Sequence, residues 1–397
     1  MNKSTHFTGQ PIFSQLINLI PKDLVSSLAS QYQSDRYCKK FSTWHHLTTM
    51  LFACLGGCTS LREVAIGMRA LEGKLQSSGI QYFPARSTFA DANAKRSADV
   101  FEAIYFKLKS YFEQLLPDST QTSKVFLIDS TVISLFQEIF KNSGSSKADG
   151  RRKGGLKVHV VLGELSFSPH IVNITDGACN DITFMSKVIL PAGSTVIMDR
   201  GYRFYKQYNL WTQQSIRWVT RLREPCHRHT VKVFSVSEQD KQSGIYSDEL
   251  IQIGFPQKKT EQVQCRLIRF WDRNKKREFE FLTNDLISEP AIIAALYKKR
   301  WAVELLFKRL KQNMPLQYFL GDNQNAIRIQ IWCALIADLL INTLKKQVSR
   351  PWAFSTIVSI IRLHLFNYVH LIAFLNNPEK SRIQNPTSSQ IKIHFSG

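Results

Sequence analysis

Two short apolar runs that each stop at an aspartate constrain this chain most. "VFLID" ends at Asp129 and "TVIMD" at Asp199. Apolar runs this short, bounded by polar residues, predict buried strands rather than helices. "KVHVVLGEL" and "HIVNITDG" alternate as half-buried strands do, "YKQYNLWTQQ" has helical spacing, and "IRWVTRL" again reads as a strand. Strands followed by strand–helix alternation predict an α/β layer with a mixed sheet. A carboxylate ending a buried strand is held rigidly at the sheet edge. Taken singly it is a turn residue or a helix N-cap; two of them, joined by a helical glutamate, can hold metal ions.

The flanks differ. Residues 1–120 read as a helical domain. "TSLREVAIGM" spaces Leu61, Val64, Ala65 and Met68 on one helical face, and "RSTFADANAKR" opens another helix with Ser87 or Thr88 as its N-cap. The second helix begins with Arg86 and ends in Lys95 and Arg96, so the pair reads either as a DNA-reading module or as a bundle with a solvated basic face. Between about 230 and 284, four strand-like runs with polar turns predict a β-rich insertion. Ser288 is placed as the cap of a long helix, with Glu289 and Pro290 in its first turn. Further helices are expected at about 325–348 and 351–375, before a polar tail. The domains drawn on this basis are 1–120, 121–350, and 351–397 as a C-terminal helix and tail.

Composition narrows the partners. The chain has 397 residues, 44% hydrophobic and 11% aromatic, which is globular rather than disordered. Its formal net charge is +21, which points to a polyanion, nucleic acid before an anionic membrane. The N-terminus lacks the apolar core of a secretory signal, and the apolar stretch Ile331–Ile341 is too short to span a bilayer and contains Asp338. Seven scattered cysteines without a CxxC suit reduced thiols in a cytoplasmic protein. "CHRH" (Cys226, His227, His229) gathers three zinc-type ligands but lacks a second pair at a set spacing.

"YKKRWAVELLFKRLK", Tyr297–Lys311, sets one carboxylate, Glu304, among six basic residues. On a continuous helix Tyr297, Arg300, Glu304, Lys308 and Lys311 fall within an arc of about 80°. Helix geometry leaves two readings open. Glu304 pairs with Arg300 and Lys308 on a solvated face, or it meets metal while the cations and the tyrosine hydroxyl hold phosphates.

The Y-x2-R-x3-E-x6-K pattern of Tyr297, Arg300, Glu304 and Lys311 resembles the signature of the bacterial insertion-sequence transposases of the insertion-sequence-four family. Trp301 and Lys308 fit it as well. So do "LIDST" around Asp129, "KGGLKVH" (Lys153–His159), "TDG…ND" (Asp176–Asp181) and "MDRGY" (Asp199–Tyr202), in the family's order. The resemblance implies a ribonuclease H-like core with a β-rich insertion between the second Asp and the Glu, and a helical N-terminal DNA-binding domain. It implies that Asp129, Asp199 and Glu304 form the catalytic and metal-binding triad, holding two Mg²⁺ ions for which Mn²⁺ can substitute. Contacts to DNA would come from Tyr297, Arg300, Lys308, Lys311, Arg200, Lys157 and His159. Trp271, in "RFWDRNKKR", is read either as a platform for a flipped base or as a core residue of a hairpin. The implied activity is cut-and-paste transposition: metal-dependent cleavage at inverted repeats, then strand transfer into target DNA by a homodimer on paired ends, in the cytoplasm near the nucleoid and without a membrane. Some family members cut the second strand through a hairpin. The alternatives are an inactive DNA binder derived from a transposase and a stand-alone metal nuclease.

Overall fold

Strand side chains alternate between the two faces of a sheet, so register decides which residues of separate strands can meet. The computed structural model describes residues 9–115, 124–134, 155–164, 168–177, 179–254, 257 and 262–379. Lys153 and the tail beyond 379 lie outside them. In chain order, helices α1 (Ile12–Ile17), α2 (Lys22–Gln31), α3 (Thr43–Gly56), α4 (Leu61–Arg69), α5 (Arg86–Lys95) and α6 (Ala98–Leu115) come first. Strands β1 (Val125–Ser134), β2 (Gly155–Gly163) and β3 (Pro169–Asp176) follow, then α7 (Asp181–Met185), β4 (Thr195–Met198), α8 (Tyr205–Gln213), β5 (Arg217–Arg221), β6 (Arg228–Val233) and α9 (Glu238–Ser243). Strands β7 (Ile245–Ile253), β8 (Val263–Asp272) and β9 (Arg277–Thr283) precede α10 (Pro290–Lys299), α11 (Trp301–Asn313), α12 (Gln324–Gln347), α13 (Phe354–His364) and α14 (Leu371–Asn376).

The chain divides into two compact units. One comprises the described parts of Met1–Leu108 and Trp332–Gly397, the other those of Lys109–Ile331. The boundaries expected from sequence lay near 120 and 350. The C-terminal helices join the N-terminal ones, since α13 packs on α1 and α3 through its buried Ile357, Val358 and Ile361. Such a long-range contact leaves no local sequence mark.

Within this first unit Ser60 caps α4: its side chain accepts from Glu63 N at 3.2 Å, and Glu63 reaches back to Thr59 N at 2.7 Å. The α5 cap differs from expectation. Ala85 occupies it without a side-chain bond, so Ser87 and Thr88 lie inside the first turn. Arg96 is buried, donating to Phe41 O at 2.7 Å and Ser34 O at 3.3 Å, so it is not part of an exposed basic face. Helix α12 is long and apolar enough to cross a membrane, yet 94% of its most apolar stretch is buried inside the protein, as in a core helix.

The second unit is built on a nine-stranded sheet in the order β3-β2-β1-β4-β5-β9-β8-β7-β6. Strand β1 pairs antiparallel with β2 and parallel with β4, and β4 pairs parallel with β5. The strands expected between 230 and 284 are β6–β9, an antiparallel meander whose last member docks on β5. One face buries Ile128, Val196, Met198 and Trp218 under Tyr208 and Trp211 of α8 and Phe184 of α7. The other face receives α10 and α11: the Tyr297 ring lies 5.0 Å from that of Phe281, and Lys311 bonds β1. Two expectations about these helices change. Glu289 rather than Ser288 caps α10, with Pro290 first in the helix, while Ser288 Oγ donates to Asp285 at 2.7 Å. The helix expected to run unbroken through the signature is interrupted at Arg300, where Arg300 N donates to Tyr297 O and Val303 N to Arg300 O, both at 3.1 Å, a tighter i→i−3 pattern.

Candidate active site

Register brings the two aspartates together. Parallel pairing of β1 with β4 aligns Ile128 with Met198, so Asp129 and Asp199, the residue that follows β4, come next side by side. Ile128 and Met198 belong to the core under α7 and α8. By alternation both carboxylates point to the opposite face, where α11 packs on β1 and supplies Glu304. An open cleft of about 480 Å³ is lined by Asp129, Thr131, Asp199, Arg300, Glu304 and Lys308, among others.

Arg300 ties the acids together. Its Nη1 donates to Asp129 Oδ2 at 2.8 Å and its Nη2 to Glu304 Oε1, while its buried Nε has no partner among the described residues. Asp129 Oδ1 accepts from Ser130 N at 2.8 Å. Burial pushes the Asp129 carboxyl up to about 6, against the lowering by the Ser130 N–H and Arg300; Asp199 and Glu304 add to the rise. The Tyr297 hydroxyl donates to Asp199 Oδ1 at 3.4 Å, a long bond, and burial pushes this phenol up to about 12. Lys311 Nζ donates to Thr131 Oγ1 at 2.7 Å and Val132 O at 3.3 Å. Lys311 therefore fastens α11 to β1.

The structure separates Lys157, His159 and Trp271 from this cleft. Lys157 and His159 of β2 pair with Val132 and Ser130 of β1, which lie on the far face from Asp129. There Lys157 Nζ meets Asp181 at 2.7 Å. His159 is wholly buried, stacked on Phe184 at 4.8 Å, with Nε2 bonded to Thr175 at 3.0 Å. The pleat thus buries His159 on the face opposite the acids and turns Lys157 away from them. Trp271 is 45% exposed, so it is no core residue. It pairs with Glu278, however, while its neighbour Phe270 pairs with Phe279, and this parity puts Trp271 on the face opposite Tyr297. Arg200, next to Asp199, is exposed. Sequence reasoning passed over Arg221. The signal was present, because "IRWVTRL" places Arg221 at the end of β5 as the other runs place their aspartates.

Comparison with known proteins adds an independent line. A family model described as "Transposase DDE domain" matches residues 120–340, and one described only as a domain of unknown function matches residues 8–81. A protein of Sinorhizobium fredii named as a transposase is 31% identical over 260 residues, covering 65% of this chain and 71% of that protein. One of Synechocystis named as a transposase for insertion sequence element IS4SA is 27% identical, with the same 65% and 71% coverage. One of Geobacillus stearothermophilus named for element IS5377 is 26% identical over 53% of this chain and 55% of its own.

Proposed function

The chain belongs to the transposase DDE domain family, and on that premise we propose how it acts on DNA. It is a DNA transposase. Our reading is that Asp129, Asp199 and Glu304 are its catalytic, metal-holding residues on a ribonuclease H-like core, in an enzyme of the insertion-sequence-four type. The core reading is supported by the strand order β3-β2-β1-β4-β5, with the first three strands antiparallel and the last two parallel to β1. The observation that carries the site is the level meeting of Asp129 and Asp199 on parallel strands, with Glu304 tied to Asp129 through Arg300.

This donor set suits a hard divalent cation: carboxylate oxygens at the rim of an open cleft, one of them raised by burial and so relieved by positive charge. Among the described residues no three acid, histidine or cysteine side chains stand close enough to bind a metal as they are; Arg300 lies between Asp129 and Glu304 in the role of counter-cation. When bound, two Mg²⁺ ions, or Mn²⁺ in their place, would activate the attacking water or hydroxyl and neutralise charge on the leaving oxygen. Asp129, Asp199 and Glu304 would hold the cations, and Tyr297, through its hydroxyl on Asp199 Oδ1, would steady Asp199. Arg300, once a cation takes over its carboxylates, and Lys308, at the cleft wall, would face the phosphates beside the cut. Lys311 keeps Glu304 in place by anchoring α11 to Thr131.

We read the reaction as cut-and-paste: hydrolysis at the element's inverted repeats, then attack of the freed 3′-hydroxyl on target DNA, by two copies on paired ends. The test incubates full-length protein and Mg²⁺ with the DNA flanking its gene and a target plasmid. Joined products are expected, and none from Asp129→Ala. Cleavage without joining would contradict the transfer step, and undiminished joining by Asp129→Ala would contradict the site.

A further inference from the structure

The face that carries the acids continues past Asp199. Pairing of β4 with β5 aligns Ile197 with Val219, so Arg221, two residues on, stands level with Asp199 on the next strand. Arg221 in turn pairs with Phe281 of β9. One row across the sheet therefore reads Asp129, Asp199, Arg221, Phe281. The neighbouring same-face residue of β9 is Phe279, and three cations gather on its ring: Arg277 at 4.5 Å, Arg221 at 4.9 Å and Lys275 at 5.7 Å from the centroid. Among the described residues, the ion pairs within 4 Å involve none of the three. The acids of β9, Glu278 and Glu280, point to the other face, where Glu280 meets Arg269 at 3.1 Å and Arg228 at 3.8 Å.

Three cations around one ring repel one another. Each gains only about 0.5–1 kcal/mol from the ring quadrupole at an exposed site, so the cluster is poorly compensated unless an anion lies over it. The arrangement also fixes the positions of the charges, since each guanidinium is seated on a 7%-exposed ring rather than free in solvent. Arg221 links the cluster to the cleft, because it helps to oppose the rise that burial gives the Tyr297 phenol.

We propose that Arg221, Lys275 and Arg277, seated on Phe279, form a phosphate track that holds the DNA strand as it leaves the cleft across β5 and β9. This rests on the DNA reading above and adds positioning residues to it. The track acts through backbone charge and carries no base specificity.

The experiment measures binding of a short, labelled, random-sequence duplex to the full-length protein without metal, between about 50 and 200 mM salt. Each phosphate contact contributes about 0.9 to the slope of log affinity against log salt. The R221Q/K275Q/R277Q protein is expected to lose about 2 to 3 from that slope, while R221K/K275R/R277K stays near wild type. An unchanged slope in the glutamine variant overturns the track. If that variant does not fold, R277Q alone, at an exposed strand position, is read the same way: the slope falls by about 0.9 or the proposal is wrong. A wild-type protein that binds the duplex without salt dependence would instead overturn the DNA reading itself, and the track with it.

Discussion

Arg300 is a cation standing between two acids that we propose hold metal. It satisfies Asp129 and Glu304 at once, and with its side chain 14% exposed its loss leaves two partly buried carboxylates facing each other. Arg300→Gln should therefore lower metal-free stability by about 1–3 kcal/mol, seen as a fall in Tm. Mg²⁺ should return more of that loss than it adds to wild type, because a divalent ion replaces the missing charge. An equal Mg²⁺ response in both proteins would contradict this role. Asp129 contributes a pH dependence. Its folded-state value of about 6 lies above the ordinary 3.8, so the metal-free fold holds this proton more tightly than the unfolded chain. The stability from it is present below about pH 4 and is lost as pH rises through 6. Metal needs the ionised form, so the Tm gain from Mg²⁺ should shrink as pH falls below about 6 and be full above neutrality. A gain that is flat across that range would contradict the assignment. At this scale the sequence was informative: the strand-ending aspartates and the glutamate of the signature were legible, and all three line one cleft. Arg300 as the bridge between them was not, since spacing along one helix cannot show a bond to a strand 171 residues away.

Elements explain where sequence reading stopped. A strand's two faces are written in its alternation, but which face meets which helix is fixed only by register with other strands. Hence Lys157 and His159, close in motif to Asp129, lie behind the sheet, and Trp271 lies on the face away from Tyr297. The strands and helices themselves were legible at most positions, because apolar periodicity and turn residues are local. The pairing of N- and C-terminal helices was not. It carries a prediction: a protein ending near residue 350 lacks α13 and α14, uncovering apolar surface of α1 and α3. It should show loss of cooperative unfolding in the first unit by circular dichroism. A truncated protein with an unchanged melting transition would mean these helices are dispensable.

The whole molecule joins a +21 charge to one sheet face where acids and cations follow each other in a row. Positive charge attracts a polyanion without regard to sequence, while the carboxylates select the point of chemistry. There, we propose, Asp129, Asp199 and Glu304 act together on DNA through metal. The direct measurement is Mg²⁺-dependent cleavage of the DNA flanking the gene by wild type and by Asp129→Ala, Asp199→Ala and Glu304→Ala, with duplex binding measured in parallel. We expect each variant to bind DNA at least as well as wild type, since one repulsion from phosphate is removed, and to cleave at least about 100-fold more slowly. Near-normal cleavage by the Glu304→Ala protein, correctly folded and bound to DNA, would contradict the account.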